Sequence, residues 1–209
     1  MGGVARDGVG AEERVVTMDW QERYETGDTP WDEGRAHPAL ADYVAEEGGF
    51  EGRILVPGCG RGYDVRGIST GENRVTGLDI APKAVAEARG FPRTGREEYV
   101  AGDLFALGEE MRGAFDWVVE HTCFCAIDPG MRLAYAKAVA GAVKAGGRMF
   151  GIFYLEPAVE RQPPYGVTVG ELEGLFLGEF EKVREWAPAR TFEGREGREV
   201  VWVMRRKNC

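Results

Sequence analysis

Three glycines in "ILVPGCGRGYDV", Gly58, Gly60 and Gly62, follow a short apolar run. Without a Cβ, such a loop lets backbone N–H groups approach a ligand closely. Two carboxylates stand at matching places further on. Asp79 closes "RVTGLDI" and Asp103 closes "EEYVAGD". Any one of these features has a plain reading, a tight turn for the glycines or a loop cap for each aspartate. Together, each after its own consecutive apolar run, they describe an adenosine site. Asp79 is placed to accept both ribose hydroxyls, and Asp103 to reach an adenine edge. The spacing G-x-G-x-G puts Tyr63 where a dinucleotide fingerprint has its last glycine, and no Gly-Lys-Ser/Thr follows. Both facts argue against a pyrophosphate grip. The ligand that fits an adenosine site without a phosphate cradle is S-adenosylmethionine, with the glycine loop beside its methionine portion.

Other reactive side chains are sparse. The only histidines are His37 and His121, which rules out a His-rich metal site, and no metal is expected. No histidine–carboxylate relay is evident from spacing. The cysteines Cys59, Cys123, Cys125 and Cys209 are scattered, and "CFC" has the wrong spacing for a zinc knuckle. They read as buried thiols in a reduced, cytoplasmic setting.

These residues need a scaffold, and the chain alternates in a way that supplies one. "RILVP", "RVTGLDI", "EEYVAGD", "FDWVVEH" and "RMFGIFYL" read as strands. Helices are predicted from Pro38 to about Glu47, from about Tyr63, and over Pro82–Arg89. Another runs from the Asp128-Pro129 cap to Lys144, and one follows the Thr168-x-x-Glu171 capping box. Strands alternating with helices imply a mostly parallel sheet covered on both faces. "EFEKVREW" and "REVVWVM" close the chain as an antiparallel hairpin. Residues 1–17 are Gly-rich, charged and aperiodic, and read as a mobile tail. Residues 18–209 form one domain, with an N-terminal lid and helices over 18–50 and a Rossmann-like core over 51–209.

Composition narrows the partners. The 209 residues carry a net charge of −9, which argues against a nucleic-acid footprint and against docking on an anionic membrane. No apolar run is long enough to span a bilayer, and "MGGVARDGVG" lacks the apolar centre of a secretory signal. Arg6 stands where a myristoylation start needs Ser or Thr. A monomer acting on a small molecule is expected.

Six motifs taken together resemble the thiopurine S-methyltransferase superfamily, and within it the halide/thiol (thiocyanate) methyltransferase branch. They are "TPWDEGRAHPAL", "LVPGCGRGYDV", "GLDIAPKAVAEAR", "GDLF", "FDWVVEHTCFCAIDPGMRLAYAK" and "PPYGV", in family order from about Met18 to Val167. The resemblance implies a class I S-adenosylmethionine-dependent methyltransferase fold, with a seven-stranded sheet, an antiparallel C-terminal hairpin and an N-terminal lid. It implies that Trp20, Tyr24 and Trp31 lie over the cofactor, where aromatic faces stabilise a sulfonium. Plant members prefer Trp where Tyr24 stands. Gly58 and Gly60 then border the methionine portion, Asp79 takes the ribose, and Asp103-Leu104 takes the adenine. Glu120 falls near the donor, where the plant branch has Asp. His121 replaces the Tyr that follows it. Tyr165 matches a tyrosine bordering the acceptor pocket. Arg35 and His37 either line the site or cap the next helix.

The implied reaction is in-line methyl transfer to a small soft nucleophile such as a halide, thiocyanate or bisulfide. Such anions arrive ionised and need no base, whereas a neutral thiol would need one, from His121 or Glu120. Alternatives are S-methylation of an organic thiol or thiopurine, and, more remotely, an NAD-dependent oxidoreductase or a non-catalytic adenosine-binding protein.

Overall fold

The structure, a computed structural model, describes residues 18–155 and 163–208. The tail expected over 1–17 and Cys209 lie outside the described residues. Seven strands form one sheet: β1 (Arg53–Pro57), β2 (Arg74–Asp79), β3 (Glu98–Ala101), β4 (Phe115–His121), β5 (Val143–Tyr154), β6 (Phe180–Trp186) and β7 (Glu199–Arg206). Their spatial order is β3-β2-β1-β4-β5-β7-β6. The first five run parallel, and β7 pairs antiparallel with both β5 and β6. This is the expected mostly parallel sheet with an antiparallel hairpin at one end. Strand order reverses between β1 and β4. In open α/β sheets ligands bind outside the carboxyl ends of the strands at such a switch point, where the loops after β1 and β4 lie.

The helices are α1 (Trp20–Thr26), α2 (Pro38–Glu47), α3 (Tyr63–Ile68), α4 (Pro82–Arg89), α5 (Cys123–Ala126), α6 (Arg132–Ala142) and α7 (Val169–Phe176). Local chemistry sets their ends. Asp19 caps α1 by accepting from the Glu22 N–H, and Pro38 and Pro82 open α2 and α4. Thr168 caps α7 through the Glu171 N–H. Among the described residues no helix is long and apolar enough to cross a membrane.

Two cores sandwich the sheet. One face buries Ile54, Val56, Tyr43, Phe50, Trp117, Val119 and Phe150 against α2 and α3. The other buries Val118, Phe124, Tyr135, Val139, Phe153, Phe176 and Trp202. Strand alternation therefore sends the two polar residues that end β4 in opposite directions. Glu120 follows Val118 toward α6, and His121 follows Trp117 and Val119 toward α2 and α3.

One expected boundary moves. The helix expected from Asp128 to Lys144 begins with a single 3₁₀ turn, Pro129–Met131, and α6 stops at Ala142. Val143 is fully buried and already pairs with Phe115 of β4. The carbonyls of Gly141 and Ala142 accept from Gly113 and Ala114, where the chain enters β4. Strand pairing and burial of a β-branched residue override the helical reading here. Lys144, the expected helix end, and Gly146-Gly147 after it lie inside β5.

Candidate active site

The glycine loop leaves β1 with three residues in the left-handed region: Gly58 at φ 58°, Gly60 at φ 52° and Gly62 at φ 73°. At two of them space forbids a side chain as well. A Cβ on Gly58 would lie 2.7 Å from the Cys123 Cβ, and one on Gly60 would lie 2.7 Å from the Tyr24 hydroxyl. The loop is thus wedged between the turn after β4 and the N-terminal segment.

Asp79, at the end of β2, holds the loop from the other side. Its Oδ2 accepts from the Gly60 N–H at 2.8 Å, and its Oδ1 from the Ala81 N–H at 2.9 Å. Burial pushes this carboxyl above the usual carboxylate range, and the two backbone N–H groups pull it partway back. Each oxygen has a second lone pair beyond these contacts, a set that suits a pair of hydroxyls. Next to it Ile80 is 57% exposed, and Phe105, just after β3, is 37% exposed. These two apolar side chains could flank a planar base, and neither was singled out in the sequence. Asp103 accepts from its own Phe105 N–H at 2.8 Å and caps one 3₁₀ turn, Leu104–Ala106. The Leu104 side chain packs into the core, so an adenine contact from this pair rests on Asp103 and backbone.

Trp20, Tyr24 and Trp31 do come together. Trp31 meets Trp20 edge-on at 5.3 Å and Tyr24 at 5.9 Å, and its indole N–H donates to the Tyr24 hydroxyl at 3.4 Å. They pack on Ala81 and Ala84, above the start of α4. Burial, followed by the nearby Asp79 charge, raises the Tyr24 hydroxyl well above its ordinary value, so it stays protonated. Arg61, from the glycine loop, clasps this segment. Its guanidinium donates to Thr29 at 3.0 Å, to Asp32, and to Glu87 of α4 at 2.6 Å. An arginine amid glycines gave no sequence signal of that role. The Asp79 carboxyl and the neighbouring cluster of Trp20, Tyr24 and Trp31 fit a sulfonium nucleoside.

The turn after β4 forms the other wall. Thr122 takes φ 70°, a strained value for a β-branched residue, and reverses the chain into α5. α5 was not anticipated. Burial raises the Cys59, Cys123 and Cys125 thiols, the last to about 12, so they remain protonated.

Glu120 is fully buried. Its carboxyl accepts from the Phe124 N–H at 2.8 Å and from the Tyr135 hydroxyl of α6. Burial pushes it up to about 7 against those two hydrogen bonds. This places Glu120 in the core on the α6 side, engaged at both oxygens. The half-buried Tyr165 is held through its backbone. Its N–H donates to the Cys125 carbonyl at 2.7 Å, and its carbonyl accepts from Arg132 at 3.1 Å.

The absence of a histidine–carboxylate relay expected from spacing is corrected by the fold. His121 Nδ1 lies 2.7 Å from Asp64 Oδ2, and His37 Nε2 lies 3.0 Å from Glu199 Oε2. Asp64 lies in the first turn of α3 and Glu199 begins β7, distances in sequence that no motif spans. His37 also caps α2, accepting from the Ala39 N–H on Nδ1 at 3.2 Å. Burial alone would raise the Glu199 carboxyl, but hydrogen bonds from His37 and Thr191, with Arg195 nearby, hold it down at about 2. Arg35 lies over Phe192, 5.5 Å from the ring centre, beside this cluster. His37, His121 and Glu199 offer ligand-type atoms within 4.8 Å of one another. A metal would need His37 Nε2 bare. The Ala39 N–H on Nδ1 fixes the proton on Nε2 instead, and that proton is given to Glu199.

Comparison with known proteins agrees with this geometry. A probable thiol methyltransferase 2 of Arabidopsis thaliana is 35% identical over 164 residues, covering 76% of this chain and 71% of the relative. A thiocyanate methyltransferase 1 of Brassica oleracea is 34% identical over 169 residues, covering 79% and 74%. Among solved structures, the 1,6-didemethyltoxoflavin-N1-methyltransferase of Burkholderia thailandensis, with S-adenosylhomocysteine bound, superimposes with a TM-score of 0.66. It is 21% identical and covers 90% of this chain and 85% of that one. Residues 15–207 match the family described as Thiopurine S-methyltransferase (TPMT). The chain belongs to that family and is an S-adenosylmethionine-dependent methyltransferase.

Proposed function

We propose that this enzyme methylates a small soft nucleophile: a halide, thiocyanate or bisulfide. Bound S-adenosylmethionine supplies an activated methyl group on a sulfonium. The chain's own residues then have to hold, dry and align. In this reading Gly58 and Gly60 border the methionine portion and Asp79 takes the ribose. Asp103 and Leu104 border the adenine, and Trp20, Tyr24 and Trp31 cover the sulfonium. Tyr165 positions the acceptor through its hydroxyl. Displacement at carbon needs donor, methyl and acceptor in line, and alignment in a dry site supplies most of the acceleration.

The observation that carries the reading is the wall facing the glycine loop. Cys123 sets its sulfur against Gly58 there, and its thiol, like that of the buried Cys125, is held protonated. A soft, uncharged wall strips water from a soft anion. Protonated cysteines also do not compete for the methyl group. Names of relatives at 34–35% identity support the same acceptor class. The test is S-adenosylhomocysteine formation, followed by mass spectrometry, with iodide, bromide, chloride, thiocyanate and bisulfide in turn. Turnover with at least one is expected, and turnover with none contradicts the proposal. Organic thiols are a second reading, favoured by one observation, the His121–Asp64 pair.

A further inference from the structure

We infer that His121, aligned by Asp64, is a general base that takes the proton from an acceptor thiol arriving as R–SH. The inference rests on the methyl-transfer reading above and extends its acceptors to thiols that are protonated at neutral pH.

The hydrogen bonds fix where the protons are. Asp64 accepts from the His37 backbone N–H at 2.9 Å and meets His121 Nδ1 at 2.7 Å. Burial would raise this carboxyl, but the His121 contact, with the other hydrogen bonds, holds it below the usual range, so it is ionised. A carboxylate has no proton to give, so Nδ1 of His121 donates, and in the neutral tautomer this leaves Nε2 as the atom with the lone pair. That nitrogen is buried and has no hydrogen-bond partner among the described residues. Leaving a buried polar atom unpaired forfeits its solvation without a hydrogen bond in return. A histidine used only for packing would be expected to pair both nitrogens, as His37 does through Ala39 and Glu199.

Its position suits the task. His121 ends β4 at the carboxyl edge and is followed by the strained Thr122 turn, whose hydroxyl donates to the His121 carbonyl at 2.6 Å. Two residues on, Cys123 abuts Gly58. Strain held beside a buried, unpaired, basic nitrogen is typical of sites that work on a ligand. The charged and titratable groups around the ring are Asp64 from α3, His37 before α2 and Glu199 from β7. Glu120 neighbours it on the opposite face of β4. Glu199 is already occupied by His37, Thr191 and Arg195, which leaves Nε2 of His121 as the open proton acceptor.

The step balances. The S–H bond breaks, its proton goes to His121 Nε2, and the electron pair stays on sulfur. That sulfur bonds to the methyl carbon while the carbon–sulfonium bond breaks, its pair remaining on the departing S-adenosylhomocysteine. His121 then releases the proton to solvent.

Two measurements test this. The chain has two histidines, so its long-range ¹H–¹⁵N spectrum is simple. With S-adenosylhomocysteine bound at neutral pH, one ring protonated at Nδ1 (His121) and one at Nε2 (His37) are expected. Asp64→Asn should erase the first pattern. A doubly protonated or Nε2-protonated His121 overturns the inference. The second measurement compares benzyl mercaptan, protonated at neutral pH, with ionised acceptors, 4-nitrothiophenol and thiocyanate. His121→Gln should lower the ratio of kcat/KM for the protonated to the ionised acceptors about 100-fold. Asp64→Asn, which acts only by positioning, should lower it about tenfold. An equal loss on all acceptors, no loss, or wild-type turnover of ionised acceptors alone sinks the base and leaves methyl transfer standing. No turnover of any acceptor by the wild type sinks both.

Discussion

Replacing Gly58 by alanine should damage the enzyme for two separable reasons. A Cβ at φ 58° costs about 1–2 kcal/mol in the left-handed region. It would also stand 2.7 Å from the Cys123 Cβ and 2.9 Å from its Sγ, and overpacking of that kind adds about 1–3 kcal/mol. The expected loss is therefore about 2–5 kcal/mol, or about 4–20 °C in Tm for a chain of this size. Guanidinium unfolding gives the stability, and calorimetry gives S-adenosylmethionine affinity, which should fall as the loop is pushed off the cofactor. Cys123→Gly removes the colliding atoms but not the backbone strain. In the double variant about 1–3 kcal/mol should return, leaving only the left-handed cost. Additive losses in the double-mutant cycle, or a Gly58→Ala protein within about 0.5 kcal/mol of wild type, would refute the wedge between this loop and the turn after β4.

Two further outcomes follow from the same contacts. Arg61→Ala removes the clasp on Thr29, Asp32 and Glu87, so S-adenosylmethionine should bind about tenfold more weakly and residues 18–36 should be cut faster by protease; an unchanged Kd contradicts the clasp. Glu120 has its folded pKa raised to about 7, so the stability it contributes is full below about 4.5 and is lost as pH rises through 7. Relative to Glu120→Gln, wild type should lose about 3 kcal/mol across that window by denaturant unfolding, and parallel pH profiles would place the proton elsewhere.

The parts of this design carried by local sequence were readable in advance. The glycine loop, Asp79 and the strand–helix alternation sit within single βα units, where spacing and position suffice to place them. The clustering of Trp20, Tyr24 and Trp31 was legible through resemblance, because they lie within one short segment. What spacing did not reveal is what the sheet assembles from afar. His121 and Asp64 are brought together because β4 lies beside β1, whose loop leads into α3. His37 meets Glu199 because β7 inserts between β5 and β6 rather than lying at the edge. Glu120 illustrates the same limit. Alternation along β4 turns it to the α6 side and Tyr135, a direction fixed only once the strand's two faces are known. The early end of α6 was hidden for a related reason, since Val143 is claimed by its pairing with Phe115.

The central claim is that a methyl group leaves S-adenosylmethionine for a small soft nucleophile on this protein. Headspace gas chromatography with S-adenosylmethionine carrying a ¹³C methyl group measures that transfer directly. Purified enzyme would be sealed with iodide, thiocyanate or bisulfide, beside a control without enzyme. Labelled methyl iodide, methyl thiocyanate or methanethiol, with S-adenosylhomocysteine in equal amount, is the expected result. Cofactor consumed without any labelled volatile product, or not consumed at all, would contradict it.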